Sequence, residues 1–494
     1  MTFDTAMHNF LDSIPSDTAL FESADGQWTA AALRARIAAL RAALERRSAP
    51  SAPVAILADN CPDWIAVDLC TQQMGITLVP LPLFFTPAQW VHVIAESGAQ
   101  AIFCSMPQHA AALGFGAHLD CPGALALFQT SAVVATRPFI DTQKITFTSG
   151  TTAAPKGVCL STEQQWGVAR GLESGLAALS LRRHLCLLPF AVLLENIAGP
   201  YTAMLSGATT ICPSMAEVGL SGSSGFDAEQ CLAAIARYQP HSVILLPQML
   251  QALVAAVVPD DPRIASLRFV AVGGAKSPRR LLEAAAQAGF PVYEGYGLSE
   301  CSSVVALNLP GAARAGSVGR ALPGRRLRIA DDGEICIDGV RARYLGHPES
   351  VDITFATGDL GHIDEDGYVY IDGRKKDILI TGFGRNISPE WPESMLIGTG
   401  RLAQALVVGD GQPDLAALIV PFPHHDSSAA IQAAIDLANA DLPDYARIQR
   451  WKIAAPFTVA NGLATANGRL RRTEILTQYR HQIADLYNLT ESPV

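Results

Sequence analysis

The chain reads as an α/β protein: a large N-terminal domain of layered, mostly parallel sheets that carries a smaller β unit, followed by a further C-terminal segment. Three observations predict this. Between about residue 52 and residue 300, short apolar runs alternate with helical patterns, the mark of parallel strands joined by crossover helices. After residue 310 the texture changes to short strand-like pieces separated by glycine and aspartate turns. The length, 494 residues, exceeds what one hydrophobic core serves, so two or more domains are expected.

Along the chain, Leu33, Ile37, Leu40 and Leu44 sit at helical spacing and make Ala30 to Arg47 an amphipathic helix. V-A-I-L-A from Val54 precedes a helical stretch from Trp64 to Met74, and A-I-F-C from Ala101 reads as the next strand. S-V-I-L-L-P from Ser242 leads into a helix over Gln248 to Val258, and R-F-V-A-V-G-G from Arg268 into one over Arg279 to Gly289. Ligands are expected at the carboxyl ends of such strands. A Gly-Ser-rich patch, Gly219 to Gly225, reads as a flexible surface loop. The pieces L-R-I-A-D-D-G-E-I-C-I from Leu327 and I-D-E-D-G-Y-V-Y-I-D-G from Ile363 read as hairpins; their acidic turns lack the ligand spacing of a calcium loop.

Composition is that of a soluble globular chain, 49% hydrophobic and 17% charged. Net charge is -10 with no concentrated basic stripe, which argues against holding nucleic acid by its backbone. The cluster Arg469, Arg471, Arg472 is short, and a solvated helix terminus is its plain reading. Ten cysteines are scattered without zinc or disulfide spacing, and the Met-Thr-Phe-Asp start lacks the pattern of a signal peptide. The longest apolar stretches are short or broken by Pro247, Gln248 and Gln251, so no spanning helix is expected and a reducing cytoplasm fits best.

The most informative stretch is T-S-G-T-T-A-A-P-K-G, Thr148 to Gly157, a hydroxyl-rich loop after the extended run Ile145 to Phe147. Thr148, Ser149, Thr151 and Thr152 offer donors, Gly150 and Gly157 permit close backbone approach, and Lys156 supplies a point charge. Such a loop suits phosphates; composition alone equally allows a solvated turn. The order of a Walker A loop is absent.

With Y-G-L-S-E at Tyr296 to Glu300, T-G-D at Thr357 to Asp359 and G-R-K-K-D at Gly373 to Asp377, the loop resembles the adenylate-forming family of acyl-CoA synthetases, luciferases and peptide-synthetase adenylation domains. T-G-F-G-R-N-I-S-P-E-W-P-E from Thr381 and L-P-F-A-V-L-L-E-N from Leu188 look most like the long-chain fatty acyl-CoA synthetase branch. The resemblance implies an adenylation domain over residues 1–373 and a small mobile α+β domain over 374–494, hinged near Lys376. It implies activation of a carboxylic acid, apolar or fatty, as an acyl adenylate with ATP and Mg2+, then transfer to coenzyme A or to the phosphopantetheine of an acyl carrier protein. Lys156, Glu300 and Arg469 take catalytic roles, with Glu300 as the magnesium carboxylate. Thr148, Ser149, Gly150, Thr151, Thr152 and Lys156 hold the polyphosphate. Gly273, Gly274, Ala275, Gly295, Tyr296, Gly297 and Ser299 surround the base, and Asp359 and Arg374 take the ribose. Gly382 would line the pantetheine tunnel after rotation. Delivery to an amine, or a nucleotide-binding member with reduced or lost turnover, are the rival readings.

Four departures from the family pattern stand out. The lysine of the N-G-K-L segment is Arg469, within Asn467, Gly468, Arg469 and Leu470; a planar guanidinium at a tight site is not equivalent to an ammonium. Less efficient use of the arginine, a site reshaped around it and lost adenylation all remain open at this level. Val192 stands where relatives place a histidine or aromatic residue at the substrate mouth, which leaves an apolar wall, and Ala153 replaces a glycine in the phosphate loop. Lys276 after G-G-A is either solvent-exposed or paired with a second acidic group of the substrate.

Overall fold

The computed structural model describes residues 10–130, 141–148, 155–222, 225–348, 352–465 and 468–488. Two large sheets form the N-terminal part. One has nine strands among the described residues, in the order Arg320–Ala321, Ser303–Leu307, Val292–Leu298, Phe269–Val272, Ser242–Leu245, Arg183–Leu185, Thr209–Ile211, Ala19–Ser23 and Gly26–Thr29. From Val292–Leu298 to Ala19–Ser23 every pairing is parallel, and the outer strands are antiparallel. The other has seven described strands, parallel across Ala101–Cys104, Val54–Leu57, Leu78–Pro80 and Lys144–Thr148.

Strand Val54–Leu57 explains the layering. Ile56 faces a core shared by the two sheets, while Ala55 and Leu57 face a second cluster under helix Pro87–Ser97. A strand buried on both faces reads as an unbroken apolar run, as the sequence does. Helices Ala30–Glu45, Pro62–Gln73 and Thr162–Leu176 contribute to the shared core. Helices Ala228–Tyr238, Pro247–Ala256 and Arg279–Gln287 cover the far face of the nine-stranded sheet. Thr29 caps the helix predicted from Ala30 by accepting the Ala32 N–H, and its buried stripe includes Leu33, Ile37, Leu40 and Leu44.

The predicted hairpins form an antiparallel four-stranded sheet of Arg326–Ile329, Glu334–Asp338, Thr354–Ile363 and Val369–Arg374. Gly333 and Gly367, at φ +83° and +84°, supply the left-handed positions of their turns. Within the stretch expected as a flexible loop, Leu220–Ser221 pairs with Gly225–Phe226; Ser223 and Ser224 lie outside the described residues. Further on, Leu402–Val408, Leu415–Pro421 and Ile448–Ile453 make a three-stranded sheet. Helix Ser428–Asn439 covers one face, and the C-terminal helices Arg472–Gln478 and Arg480–Asn488 cover the other. All ten cysteines are unpaired. Among the described residues no helix is long and apolar enough to cross a membrane.

One buried polar knot ties these layers together. Lys144, fully buried at the start of strand Lys144–Thr148, donates to Asp68 Oδ2 at 2.9 Å, Asn196 Oδ1 at 2.6 Å and Tyr201 Oη at 3.3 Å. Tyr201 Oη and Asn196 Nδ2 also donate to Asp68 Oδ2, at 2.9 and 3.1 Å. Trp166 stacks on Tyr201 with ring centroids 4.4 Å apart and donates to Gln72. Burial drives the Lys144 ammonium toward neutrality, and Asp68 opposes it. Removing one partner leaves the other charge buried and unpaired, at a cost of about 3–5 kcal/mol. Lys144→Met should therefore lower the chemical-denaturation midpoint steeply, while Lys144→Met with Asp68→Leu should recover part of the loss. Equal destabilisation by the single and double variants would contradict the pairing.

Candidate active site

The carboxyl ends of the parallel strands of the nine-stranded sheet, the four-stranded sheet and the C-terminal region converge on one cavity of about 1380 Å³. Glycines set its floor. Gly274 follows strand Phe269–Val272 at φ +84°, and a Cβ there would stand 2.9 Å from Leu246. At Gly297 a Cβ would lie 1.9 Å from the Ser303 carbonyl oxygen, where the chain turns back through Ser299–Cys301 and pairs antiparallel with itself. Only glycine fits. Ser302 and Ser303 in this turn hold positive φ, +60° and +98°, a strained backbone beside Glu300. Gly273, Gly274, Ala275, Gly295, Tyr296, Gly297 and Ser299 all line the cavity.

Asp359 lines an adjoining pocket that shares Tyr296, Arg374 and Arg469 with this cavity. It is buried, its Oδ1 accepts Arg374 Nε at 2.9 Å, and its Oδ2 accepts the Tyr296 hydroxyl at 2.6 Å. Asp359 and Arg374 face each other across the Thr354–Ile363 and Val369–Arg374 strands. Burial raises the Asp359 carboxyl, opposed by Arg374 and then Tyr296; burial and Asp359 together push the Tyr296 phenol up, so it stays a donor. A carboxylate has about four acceptor positions, so two partners leave room for further donors.

Glu300 is half-buried, and its Oε1 accepts the Tyr344 hydroxyl at 2.8 Å. A carboxylate so anchored is the hard oxygen donor that magnesium takes. Thr148 and Lys156 are paired residues at the mouth of an antiparallel hairpin, and both line the cavity; Lys156 is exposed. Ser149, Gly150, Thr151, Thr152 and Ala153 lie outside the described residues. Val192 lines the cavity at the cap of Leu193–Asn196, a half-buried apolar wall. Lys276 is exposed, donates to the Ile371 carbonyl at 3.0 Å and lines the cavity.

Arg469 enters from the C-terminal region on a tight turn. Thr465 N–H donates to the Arg469 carbonyl at 2.7 Å, and Gly468, at φ +76°, packs against Gln248. The guanidinium is open to the cavity yet surrounded by protein, so enclosure and the nearby Arg374 disfavour its charge, while Glu390, Asp359 and Asp377 favour it. Lys376, exposed on the turn Lys375–Asp377, lines the same cavity. Gly382 does not: its N–H donates to the Gln412 carbonyl at 2.7 Å, away from the cavity lining, and Phe383 beside it is 80% exposed. Sequence reading missed Tyr344, Glu390 and the Lys144 knot. Each acts through residues far away in the chain, and only a charged or hydroxylated residue amid apolar neighbours, such as Lys144, gave a local signal.

The chain belongs to the AMP-binding enzyme family, whose model matches residues 9–342, and the AMP-binding enzyme C-terminal domain matches residues 376–491. It is similar to the long-chain-fatty-acid–CoA ligase FadD15 of Mycobacterium tuberculosis, 34% identical over 252 residues, 45% of this chain and 42% of that protein. The chain thus spans less than half the length of that relative. It is also similar to the 3-[(3aS,4S,7aS)-7a-methyl-1,5-dioxo-octahydro-1H-inden-4-yl]propanoyl:CoA ligase of the same organism, 28% identical over 447 residues, 83% of this chain and 86% of that protein. In fold it matches the crystal structure of the anthranilate CoA ligase AuaEII with anthranoyl-AMP, TM-score 0.79 at 19% identity, covering 97% of this chain and 98% of that one.

Beside the glycine turn, Glu294 accepts the Ser277 N–H at 3.0 Å, and burial pushes its carboxyl from 4.5 to about 7, the Ser277 contact drawing it partly back. The folded state therefore binds this proton more tightly than the unfolded chain. Its stabilising contribution is present at low pH and lost as pH rises from about 4.5 to 7, by up to about 1.4 kcal/mol per pH unit. Glu294→Gln should flatten this decline in a denaturation series across that window. A wild-type and variant difference independent of pH would contradict it.

Proposed function

We propose that the protein is an ATP-dependent acid–thiol ligase that activates a predominantly apolar carboxylic acid as an acyl adenylate and passes the acyl group to coenzyme A. The observation that carries this reading is that one cavity joins the cations Lys156 and Arg469 with the apolar wall at Val192, and that an adjoining pocket, which shares Tyr296, Arg374 and Arg469 with it, adds the anchored acid Asp359.

A carboxylate has no useful leaving group until one is attached. In the first step its oxygen attacks the α-phosphorus of ATP, the bond to the bridging oxygen breaks, and pyrophosphate departs. The charge that gathers on the phosphoryl oxygens is met by positioned cations. Lys156, on the phosphate hairpin, faces the polyphosphate, and Arg469 meets the α-phosphate and the acid. Asp359 accepts the ribose hydroxyls with the acceptor capacity that Arg374 and Tyr296 leave. Glu300 would hold magnesium, which supplies charge neutralisation along the phosphates. In the second step the thiol sulfur attacks the acyl carbon and AMP leaves. The region over 374–494 turns about Lys376 between the steps, a reading supported by the exposure of Phe383 and the distance of Gly382 from the cavity lining. Arg469 in the cavity favours a site built around an arginine over one that has lost turnover.

The test is pyrophosphate release with ATP and magnesium over short, long and aromatic acids, with and without coenzyme A, following products by mass. Acyl-CoA and AMP are the expected products. Lys156→Ala and Arg469→Ala should each lower kcat/KM by about 2–4 kcal/mol in transition-state terms. Adenylate without a CoA product would shift the acceptor to a carrier protein or an amine, and no pyrophosphate with any acid would overturn the reading.

A further inference from the structure

The cavity does not stop at the nucleotide end of the sheet. Its lining runs down the strands from Leu246 and Gly273 through Ile244 and Ala271 to Ser242 and Phe269 at their amino ends. Ser242 pairs with Phe269 and Ile244 with Ala271, so these side chains form successive rows on one face. Four residues of strand span about 13 Å. Leucine, alanine and isoleucine line the way, and then the character changes.

At the far end His184 pairs with Ser242 across parallel strands; both are buried, and both line the cavity. His184 Nδ1 lies 3.0 Å from Ser242 Oγ, and His184 Nε2 lies 2.8 Å from Glu195 Oε1. Glu195 Oε2 accepts the backbone N–H groups of Leu187 and Leu188 at 3.2 and 2.9 Å. A carboxylate with three donors is an acceptor only, so Nε2 carries the imidazole proton. In the neutral ring Nδ1 then accepts the Ser242 hydroxyl hydrogen. Gly199 lets a helical turn close over the imidazole and carboxylate, since a Cβ there would come 2.7 Å from Nε2 and 2.5 Å from Glu195 Oε1. The chain of bonds fixes the Ser242 hydrogen toward the histidine and leaves its oxygen lone pairs as the acceptor. A pocket meant for a bare alkyl tail gains nothing from a polar row at its end, because a buried acceptor without a donor is costly.

We propose that Ser242, oriented by His184 and Glu195, is a specificity residue that accepts a hydrogen bond from a hydroxyl carried by the acid far from its carboxylate. This rests on the ligase reading above and narrows its substrate to apolar acids with a remote hydroxyl. The test compares ω-hydroxy fatty acids of stepped chain length with the corresponding alkyl acids, each in the presence of ATP, magnesium and coenzyme A, by AMP formation. At the chain length that reaches Ser242, the hydroxy acid should be favoured in kcat/KM by about tenfold, and Ser242→Ala should bring that ratio close to one. The wild-type ratio needs no variant to fold. Equal use, or preference for the alkyl acid, at every chain length overturns the proposal while leaving the ligase reading intact, as does a ratio that survives Ser242→Ala. No AMP from any acid overturns the ligase reading, and this one with it.

Discussion

The arrangement depends on a buried charge that cannot be left alone. Lys144 begins the strand that leads into the hairpin carrying Lys156, Asp68 lies on helix Pro62–Gln73, and Asn196 and Tyr201 belong to the helical segment that walls the cavity. In an apolar interior the ammonium is tolerable only if all of these converge on it. The pair therefore sets the position of the hairpin relative to the cavity wall more tightly than packing alone would, since apolar contacts allow sliding and a triply bonded ammonium does not.

The cavity lining sets cations among acids. Lys156, Arg374, Lys376 and Arg469 line it beside Glu300, Glu334, Asp377 and Glu390. Asp359 is the counterweight, holding Arg374 on one oxygen and Tyr296 on the other. Arg469 depends on this balance: crowded by Arg374 and enclosed by protein, it keeps its charge beside Glu390, Asp359 and Asp377. An arginine at this point is held by an acidic surround that spans the four-stranded sheet and the C-terminal region, so the two parts of the chain share one electrostatic site.

Much of this was legible in the sequence, for physical reasons. Doubly buried strands such as Val54–Leu57 read as apolar runs, and turns at Gly333 and Gly367 read as turns because their left-handed backbone demands glycine. The nucleotide motifs were legible for the same reason: Gly297 cannot carry a Cβ beneath the Ser303 carbonyl, so local sterics fix the letter. What stayed hidden were pairings between distant positions. Lys144 and Asp68 stand 76 residues apart, His184 and Ser242 58, Tyr344 and Glu300 44. No local period encodes such partners. Near Gly219 to Gly225, the pairing of Leu220–Ser221 with Gly225–Phe226 also went unread, since glycine and serine carry no pairing signal.

The central claim is that the acid's own oxygen attacks the α-phosphorus. It is tested most directly with a carboxylic acid labelled with oxygen-18 in both carboxyl oxygens, turned over with ATP, magnesium and coenzyme A. The account predicts that the AMP released carries one labelled oxygen from the acid. Unlabelled AMP, or label recovered in inorganic phosphate with ADP as the nucleotide product, would contradict it.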